Sequence, residues 1–448
     1  MTHARTLGSP GPATMDLDFD ARARSTRWVQ LVMGFIVMMM ISSPQYVWTL
    51  FVPSFQKATG AALLDVQWTI TILIVLQTWL APAQGFLVEK LSPKLLIGIG
   101  ALLSGIGWIA SSSTVSLWGL YATYGLLCGV GTGIVYVGVI GLMVKWFPEQ
   151  RGFATGVVAA GYGFGAMLTT FPIDSMMRSA GYQHTLFIFG SIFAALGLVA
   201  ALALRAPRDA EVAVVPASRG EPARASMAAV RGVSPAEMLK SPVFWLMFLM
   251  MSMMSTGGLM VITQFTSFAK SFGIDASTSV VILGISMAAI PTALTFDRIT
   301  NGLTRPFFGF VSDRIGRENT MGLAFLLEAA AIYMMLQYRS DPLLLVVLSG
   351  LVFFGWGEIF SLFPATLTDT FGTEYATTNY GFLYMAQGVG SILGAPVAAM
   401  IFEQTGSWMP VFALVIIMDV ATGLLALFVL KPMRQYRLKH AFAGAGRG

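Results

Sequence analysis

The chain has 448 residues, 56% of them hydrophobic and only 11% charged, with a mean hydropathy of +0.72. That composition cannot clothe a water-soluble protein of this size, and with 47 Gly and 20 Pro it excludes disordered, fibrous and coiled-coil classes. The net charge of +5 does not mark a nucleic-acid binder, because Lys and Arg fall in short polar gaps between apolar runs, the pattern of membrane topology.

Residues 1–27 are polar, with Arg5, Arg22, Arg24 and Arg27 beside Asp16, Asp18 and Asp20, and lack the apolar core of a signal peptide. They are expected to form a cytoplasmic amino-terminal tail. Twelve runs near or above the ~20 residues that cross a bilayer follow. They extend over Trp28 to Phe51, Val66 to Val88, Leu95 to Ser111, Leu117 to Val144, Gly152 to Asp174, His184 to Leu204, Val243 to Ala269, Ser279 to Val311, Met321 to Leu336, Leu343 to Leu367, Tyr380 to Ile401 and Trp408 to Leu430. Alternate gaps differ sharply in charge: 21 of the 27 Lys and Arg lie on the side of the two termini and only Lys57, Arg178, Lys270 and Arg339 on the other. Positive loops stay inside, so both termini are predicted to be cytoplasmic in an inner-membrane, multi-pass protein.

The expected fold class is an all-α membrane protein of twelve transmembrane helices in two six-helix pseudo-repeats, one over residues 28–205 and the other over 243–431. Residues 206–242, rich in Ala, Pro and Arg, form a cytoplasmic linker, and residues 432–448 a cytoplasmic tail. The halves echo each other. Gly85-Phe-Leu-Val-Glu89 follows the second run as Gly309-Phe-Val-Ser-Asp313-Arg314 and Arg317 follow the eighth, and Gly152-Phe153 through Gly165 matches Gly381-Phe382 through Gly394. Parallel repeats of this kind suit a transporter that rocks about a central site. In the loops, Gly would bring helices together, the acids Glu89 and Asp313 would meet helix-end dipoles, and Arg314 or Arg317 would hold the cytoplasmic face shut.

These two loops resemble the signature of the major facilitator superfamily. A narrower likeness lies in Met40-Ile-Ser-Ser-Pro-Gln-Tyr-Val-Trp-Thr-Leu50, Gly133-Ile-Val-Tyr136, Trp146-Phe-Pro-Glu-Gln-Arg-Gly152, Ala159-Ala-Gly-Tyr-Gly163, Asn301-Gly-Leu-Thr-Arg-Pro306, Phe353-Phe-Gly-Trp-Gly357 and Leu362-Phe-Pro364. Together these resemble the oxalate/formate antiporter family, relatives of the monocarboxylate transporters. The resemblance implies a small carboxylate held by an arginine on helix eight and a lysine on helix eleven within an aromatic cage. Arg305, with Asn301 in the same block, matches the arginine; Gln45, Tyr46, Trp48, Tyr136, Tyr162 and Trp356 match the cage and its neighbours. Phe360 stands where a tyrosine is expected and Gln387 where the lysine is, which puts binding of a dianion in question.

The residues support a central site independently. An arginine near mid-bilayer costs at least about 2.5 kcal/mol and needs a partner or a wet cavity. Arg305 lies roughly 12 Å along its helix from Asp313, close to the middle of the apolar layer, and Tyr136 and Tyr162 fall at similar depth. A guanidinium among phenols and an indole can grip a carboxylate with two prongs; pairing with a helix-end carbonyl or a carboxylate of the protein is the alternative role. Arg298, seven residues earlier and about 20° round the helix, is either a second positive charge for the cavity or a gate residue paired with Asp297 or another acid. Glu358 points about 160° away from the Trp356 and Phe360 face, so a buried structural acid with a hydrogen-bond partner is expected there, coupling to Arg305 being the other reading. Glu328 is read as structural too.

The glycine-dense stretches lie inside apolar runs and suit helix packing rather than phosphate binding. Cys128, the single cysteine, is expected to pack. No clustered His, Asp or nucleophile suggests an enzyme, a metal or a cofactor. The expected function is secondary active transport of small carboxylate anions such as oxalate, formate or lactate, by a monomer in the lipid bilayer. Proton-coupled monocarboxylate symport is the alternative, and a transporter-like sensor the rival of another class.

Overall fold

The computed structural model describes residues 12–208, 211, 232–275 and 277–445; side chains are described for these except at 12–24, 63–64, 395 and 440–445. Residues 1–11 and 446–448 of the expected tails, most of the expected linker (209–210 and 212–231) and residue 276 lie outside the described residues.

The first span is Pro12–Met40, continued through Ser43–Tyr46 and Trp48–Thr59 past a break beside Pro44. Helix therefore begins well inside the segment expected to be a tail. The second joins Leu63–Trp79 to Ala81–Lys90 through a bend of 49° ahead of Pro82. Pro93–Ser111 is the third, and Leu117–Leu120, the wide π-helical turn Tyr121–Leu127 and Cys128–Trp146 make the fourth. Arg151–Leu202 holds the fifth and sixth, divided at Gly181, whose positive φ of 81° only glycine adopts easily. After the short helix Pro235–Met238, the seventh span is Pro242–Ser271 and the eighth Ala289–Ile315. Arg317–Gln337 is the ninth; Pro342–Trp356 with Ile359–Phe371, the tenth; Ala376–Thr405, the eleventh. Met409–Leu425 with Ala426–Leu430 and Lys431–Ala445 completes the twelfth, so helix also replaces most of the expected carboxyl-terminal tail.

Ten of these helices or bent pairs are long and apolar enough to span a membrane. The break at Gly181 divides one of them in two, and the eighth, which carries Asp297, Arg298, Arg305, Asp313 and Arg314, is the twelfth span despite its charge.

One expectation about the eighth run fails. Its start, placed at Ser279, forms a β-hairpin in which strand Ser279–Ile282 pairs antiparallel with Ile285–Ala288. Leu283 and Gly284 both take positive φ, as a two-residue turn requires, and the β-branched residues on either side favour the strands. The apolar composition was right, but its periodicity belonged to two structures.

Large side chains such as Trp118, Phe171 and Phe428 lie outward and exposed, as lipid-facing residues do, while two main apolar clusters fill the interior. At the start of the linker Arg205 grips Glu211 through two bonds of 2.7 and 2.6 Å. Those bonds hold the Glu211 carboxyl down to about 2, below its ordinary value. The clasp is therefore fully present above the ordinary carboxylate range and is lost only as pH falls through about 2.

Candidate functional site

The two halves meet closely on the side of the loops after the second and eighth spans. There the second span crosses the eleventh and the fifth crosses the eighth. Two positions allow no side chain: a Cβ at Gly85 would strike the Thr377 backbone, and one at Gly309 the carbonyl of Gly152. Each glycine sits four residues before an acid that caps the helix opposite. Asp313 accepts from the backbone N–H groups of Gly152 and Phe153, at 3.1 and 2.9 Å, where the fifth span starts. Glu89 accepts from those of Thr377 and Thr378, at 2.7 and 3.3 Å, where the eleventh starts, and bonds the Thr378 hydroxyl. Both carboxylates meet the positive end of a helix dipole in the other half.

Arg317 completes the seal by donating to Asp313 and, at 2.8 Å, to Asp369, which also receives Arg151 at 2.6 Å. Of the gating residues expected, Arg314 takes no part: its guanidinium lies 4.0 Å over the ring of Phe310. Arg151 and Asp369 were missed, because one counted only as a topology charge and the other ended an apolar run.

Away from this seal the fifth and eighth spans separate. A Cβ on Gly156 would collide with the Arg305 carbonyl, whereas one on Gly163, two turns on, would have only the Gly302 backbone at 3.9 Å. Arg305 lies where the contact ends, 1% exposed. Its Nη1 donates to the Ala159 carbonyl at 2.5 Å and its Nη2 to Asn301 Oδ1 at 3.1 Å, so part of the alternative role, a backbone carbonyl partner, is real. Its Nε has no hydrogen-bond partner. The guanidinium carbon stands 4.7 Å from the ring centre of Phe360, the residue in the place of the expected tyrosine.

Phe360 leads to Trp356 at 5.9 Å and Tyr136 at 6.4 Å between ring centres. Tyr136 packs edge-on to Tyr162, which meets Tyr46 and donates its hydroxyl to Gln45 Oε1 at 2.7 Å. The Trp356 indole donates to the Met254 carbonyl at 2.8 Å. The structure thus brings Gln45, Tyr46, Tyr136, Tyr162, Asn301, Trp356 and Phe360 into one chain of contacts with Arg305. It leaves Trp48 out: that indole donates to Gln67 and packs on Phe55 and Tyr124 in a separate apolar cluster of the amino-terminal half.

Three site residues went unnoticed in the sequence. Tyr384 stacks on Tyr136 at 4.7 Å and 13°, Tyr380 lies 5.6 Å from Tyr384, and Gln77 Nε2 donates to the Tyr384 hydroxyl at 2.9 Å. Gln387 follows Tyr380 by seven residues and so occupies the same helix face. The signal available was this spacing of 380, 384 and 387 on the run already carrying Gln387.

Arg298 is exposed and makes no ion pair among the described residues, while Asp297 is buried beside Ser349. The expected Asp297–Arg298 pairing is therefore not formed. Glu358 and Glu328 are wholly buried, but the hydrogen-bond partner expected for Glu358 is missing: both oxygens of each lack one. Asp419, equally buried and unpartnered, completes a carboxylate trio across spans nine, ten and twelve. Among the described residues no group of His, Cys, Asp and Glu is arranged to hold a metal ion.

Buried charge between two six-helix halves, with a sealed side and a separating one, defines a secondary transporter, and the chain belongs to the Major Facilitator Superfamily, whose model matches residues 31–301 and 282–446. It is 32% identical to the oxalate:formate antiporter of Oxalobacter formigenes over 91% of this chain and 92% of that one. Human monocarboxylate transporter 12 is 23% identical over 88% and 80%. Among solved structures, the Escherichia coli fucose:proton symporter superposes with a TM-score of 0.64 at 15% identity, covering 89% of this chain and 98% of that one. The proton:xylose symporter XylE gives 0.66 at 12%, covering 91% and 96%. The protein is thus a membrane transporter of this superfamily.

Proposed function

We propose that the protein exchanges small carboxylate anions across the cell membrane by alternating access about Arg305. The observation that carries this reading is a guanidinium buried between the halves, ringed by aromatic side chains, with Nε still unpartnered. A carboxylate arriving from the separating side can take that hydrogen and compete for those now given to Ala159 and Asn301, while the rings exclude water. The excess of Lys and Arg on the sealed side supports a cytoplasmic position for it, which makes the conformation described the one that receives anion from outside. Gln387 brings no charge, so one guanidinium balances one negative charge and a monoanion suits the site at least as well as oxalate does. The antiport of oxalate and formate remains the exchange suggested by the relative from Oxalobacter formigenes. A monomer suffices, since both halves of the site come from one chain.

The trio of unpartnered carboxyl groups, Glu328, Glu358 and Asp419, favours a second reading, proton-coupled symport of a monocarboxylate, because acids inside a membrane span are groups on which a proton can cross. Uptake of labelled oxalate, formate and lactate into proteoliposomes separates the two. Stimulation by anion preloaded inside, lost in Arg305→Gln, is the expected result. Uptake driven only by an imposed pH gradient would establish symport, and absence of carboxylate flux would overturn both.

A further inference from the structure

We infer that Gln77, paired with Tyr384, is a specificity-determining residue that reads a hydroxyl group on the substrate, so the preferred cargo is a hydroxycarboxylate rather than its unsubstituted counterpart. The inference rests on the proposed carboxylate site and deepens it.

Gln77 is 2% exposed in the middle of the second span, and its Nε2 donates to the hydroxyl of Tyr384 on the eleventh. This is a buried hydrogen bond between the two halves. Its other polar atom, Oε1, is buried with no partner. One turn along from Tyr384, Gln387 Oε1 is also buried and unpartnered. Close packing of Gly388 on Thr78 brings the two glutamine-bearing helices together.

An unmet carbonyl in the middle of a membrane protein costs free energy that only a donor can recover. Because Tyr384 accepts from Gln77, its own hydroxyl hydrogen remains available. The pair therefore offers one acceptor and one donor, which is the complement of an alcohol. Formate, oxalate and 2-oxo acids as their anions carry no O–H or N–H to give. A hydroxyl supplies the missing donor and accepts in return.

The rest of the site separates the two recognition tasks. Arg305 lies on the far side of the tyrosine cluster, reached from Gln77 through Tyr384, Tyr136 and Phe360. The carboxylate end is held there, and the hydroxyl end at the Gln77–Tyr384 pair. Between them stand the stacked rings of Tyr136 and Tyr384, apolar surface of the kind a carbon chain packs against. Chain length decides which hydroxycarboxylate spans both ends.

The test is a competition series in proteoliposomes containing the full chain. Glycolate, 3-hydroxypropionate and 3-hydroxybutyrate are each compared with acetate, propionate and butyrate, in wild type, Gln77→Leu and Gln77→Glu. The expected result is a preference of about tenfold or more for the hydroxylated member of at least one pair, reduced to near unity in Gln77→Leu at whatever rate that variant transports. Gln77→Glu keeps acceptors but draws the Tyr384 hydroxyl hydrogen to itself, so it weakens the preference and slows every anion by repulsion. Carboxylate transport with no preference at any chain length overturns this inference and leaves the Arg305 site standing, as does a preference unchanged in Gln77→Leu. Absence of all carboxylate flux overturns both. If Gln77→Leu does not fold, loss of the preference in Tyr384→Phe serves in its place, and its retention there counts against the pair.

Discussion

Arg305 spends two of its donors on the protein itself, and this sets how it responds to substitution. Lysine in its place keeps the charge but loses the flat fork that reaches Ala159 and Asn301 together while leaving Nε for a ligand. Arg305→Lys is expected to cut anion exchange by about a hundredfold in protein that still elutes as a single folded species on size exclusion. Retention of more than a tenth of wild-type exchange would remove Arg305 from substrate binding. Asn301 tests the same chemistry from the other direction. Its Oδ1 is a neutral acceptor, and an aspartate there would neutralise the guanidinium in the resting protein. Asn301→Asp is expected to raise KM for a monoanion about tenfold or more, with a smaller effect on maximal rate, because substrate must first displace the new carboxylate. An unchanged KM would refute this. At the residue scale Arg305 and its aromatic neighbours were legible, since an arginine inside an apolar run announces itself. Gln77 and Tyr384 were not, because an isolated glutamine or tyrosine in a membrane helix is unremarkable until a partner 307 positions away is known to touch it.

Between elements, the pairing of Gly85 with Glu89 and of Gly309 with Asp313 is one device used twice. The glycine allows the approach and the acid caps the helix that has come close. Each cap is worth on the order of 1 kcal/mol, and both exist only while this side is closed. Asp313→Asn and Glu89→Gln are each expected to increase the open population on this side about five- to tenfold. Thiol labelling of a cysteine placed at Ser361, beneath the seal, reads that population, and labelling rates equal to the parent's would refute the prediction. The carboxylate trio gives the opposite expectation. Glu328, Glu358 and Asp419 each bury two unpartnered oxygens, so an amide at one position supplies N–H donors to its neighbours without opening a void. Asp419→Asn is expected to raise the melting temperature by a few degrees, and a fall would show that the acid has a partner it needs. The sequence exposed these loops through their repetition but misjudged the hairpin of residues 279–288. An apolar run states that a segment is buried or in lipid, and β-branched residues around Leu283 and Gly284 then decide its form.

The whole molecule is held in one arrangement by contacts that cross between halves. Number of spans, order and pseudo-repeat could be read from hydropathy and charge because a bilayer forces backbone groups into helices of nearly fixed length. Which side is shut could not be read, since both arrangements use the same sequence and differ only in contacts. Asp369 is central to that choice. It lies between Arg151 of the fifth span and Arg317 at the start of the ninth, and removing its charge leaves two buried guanidinium groups facing each other. Asp369→Asn is expected to shift the substrate-free protein towards opening on this side. Pulsed spin-label distances between the loop after the second span and the loop after the eighth would lengthen, and an unchanged distribution would show that the ion pairs follow closure without holding it.

Such measurements are unusually accessible here because of Cys128. It is the single cysteine of the chain, lies wholly buried behind Gly107, and points its thiol at the Ser104 carbonyl. Reagents that modify exposed sulfur will pass it by in the folded protein. The natural chain is thus already a silent background for site-directed probes, and any pair of positions can be tagged without first stripping the protein of its own thiol.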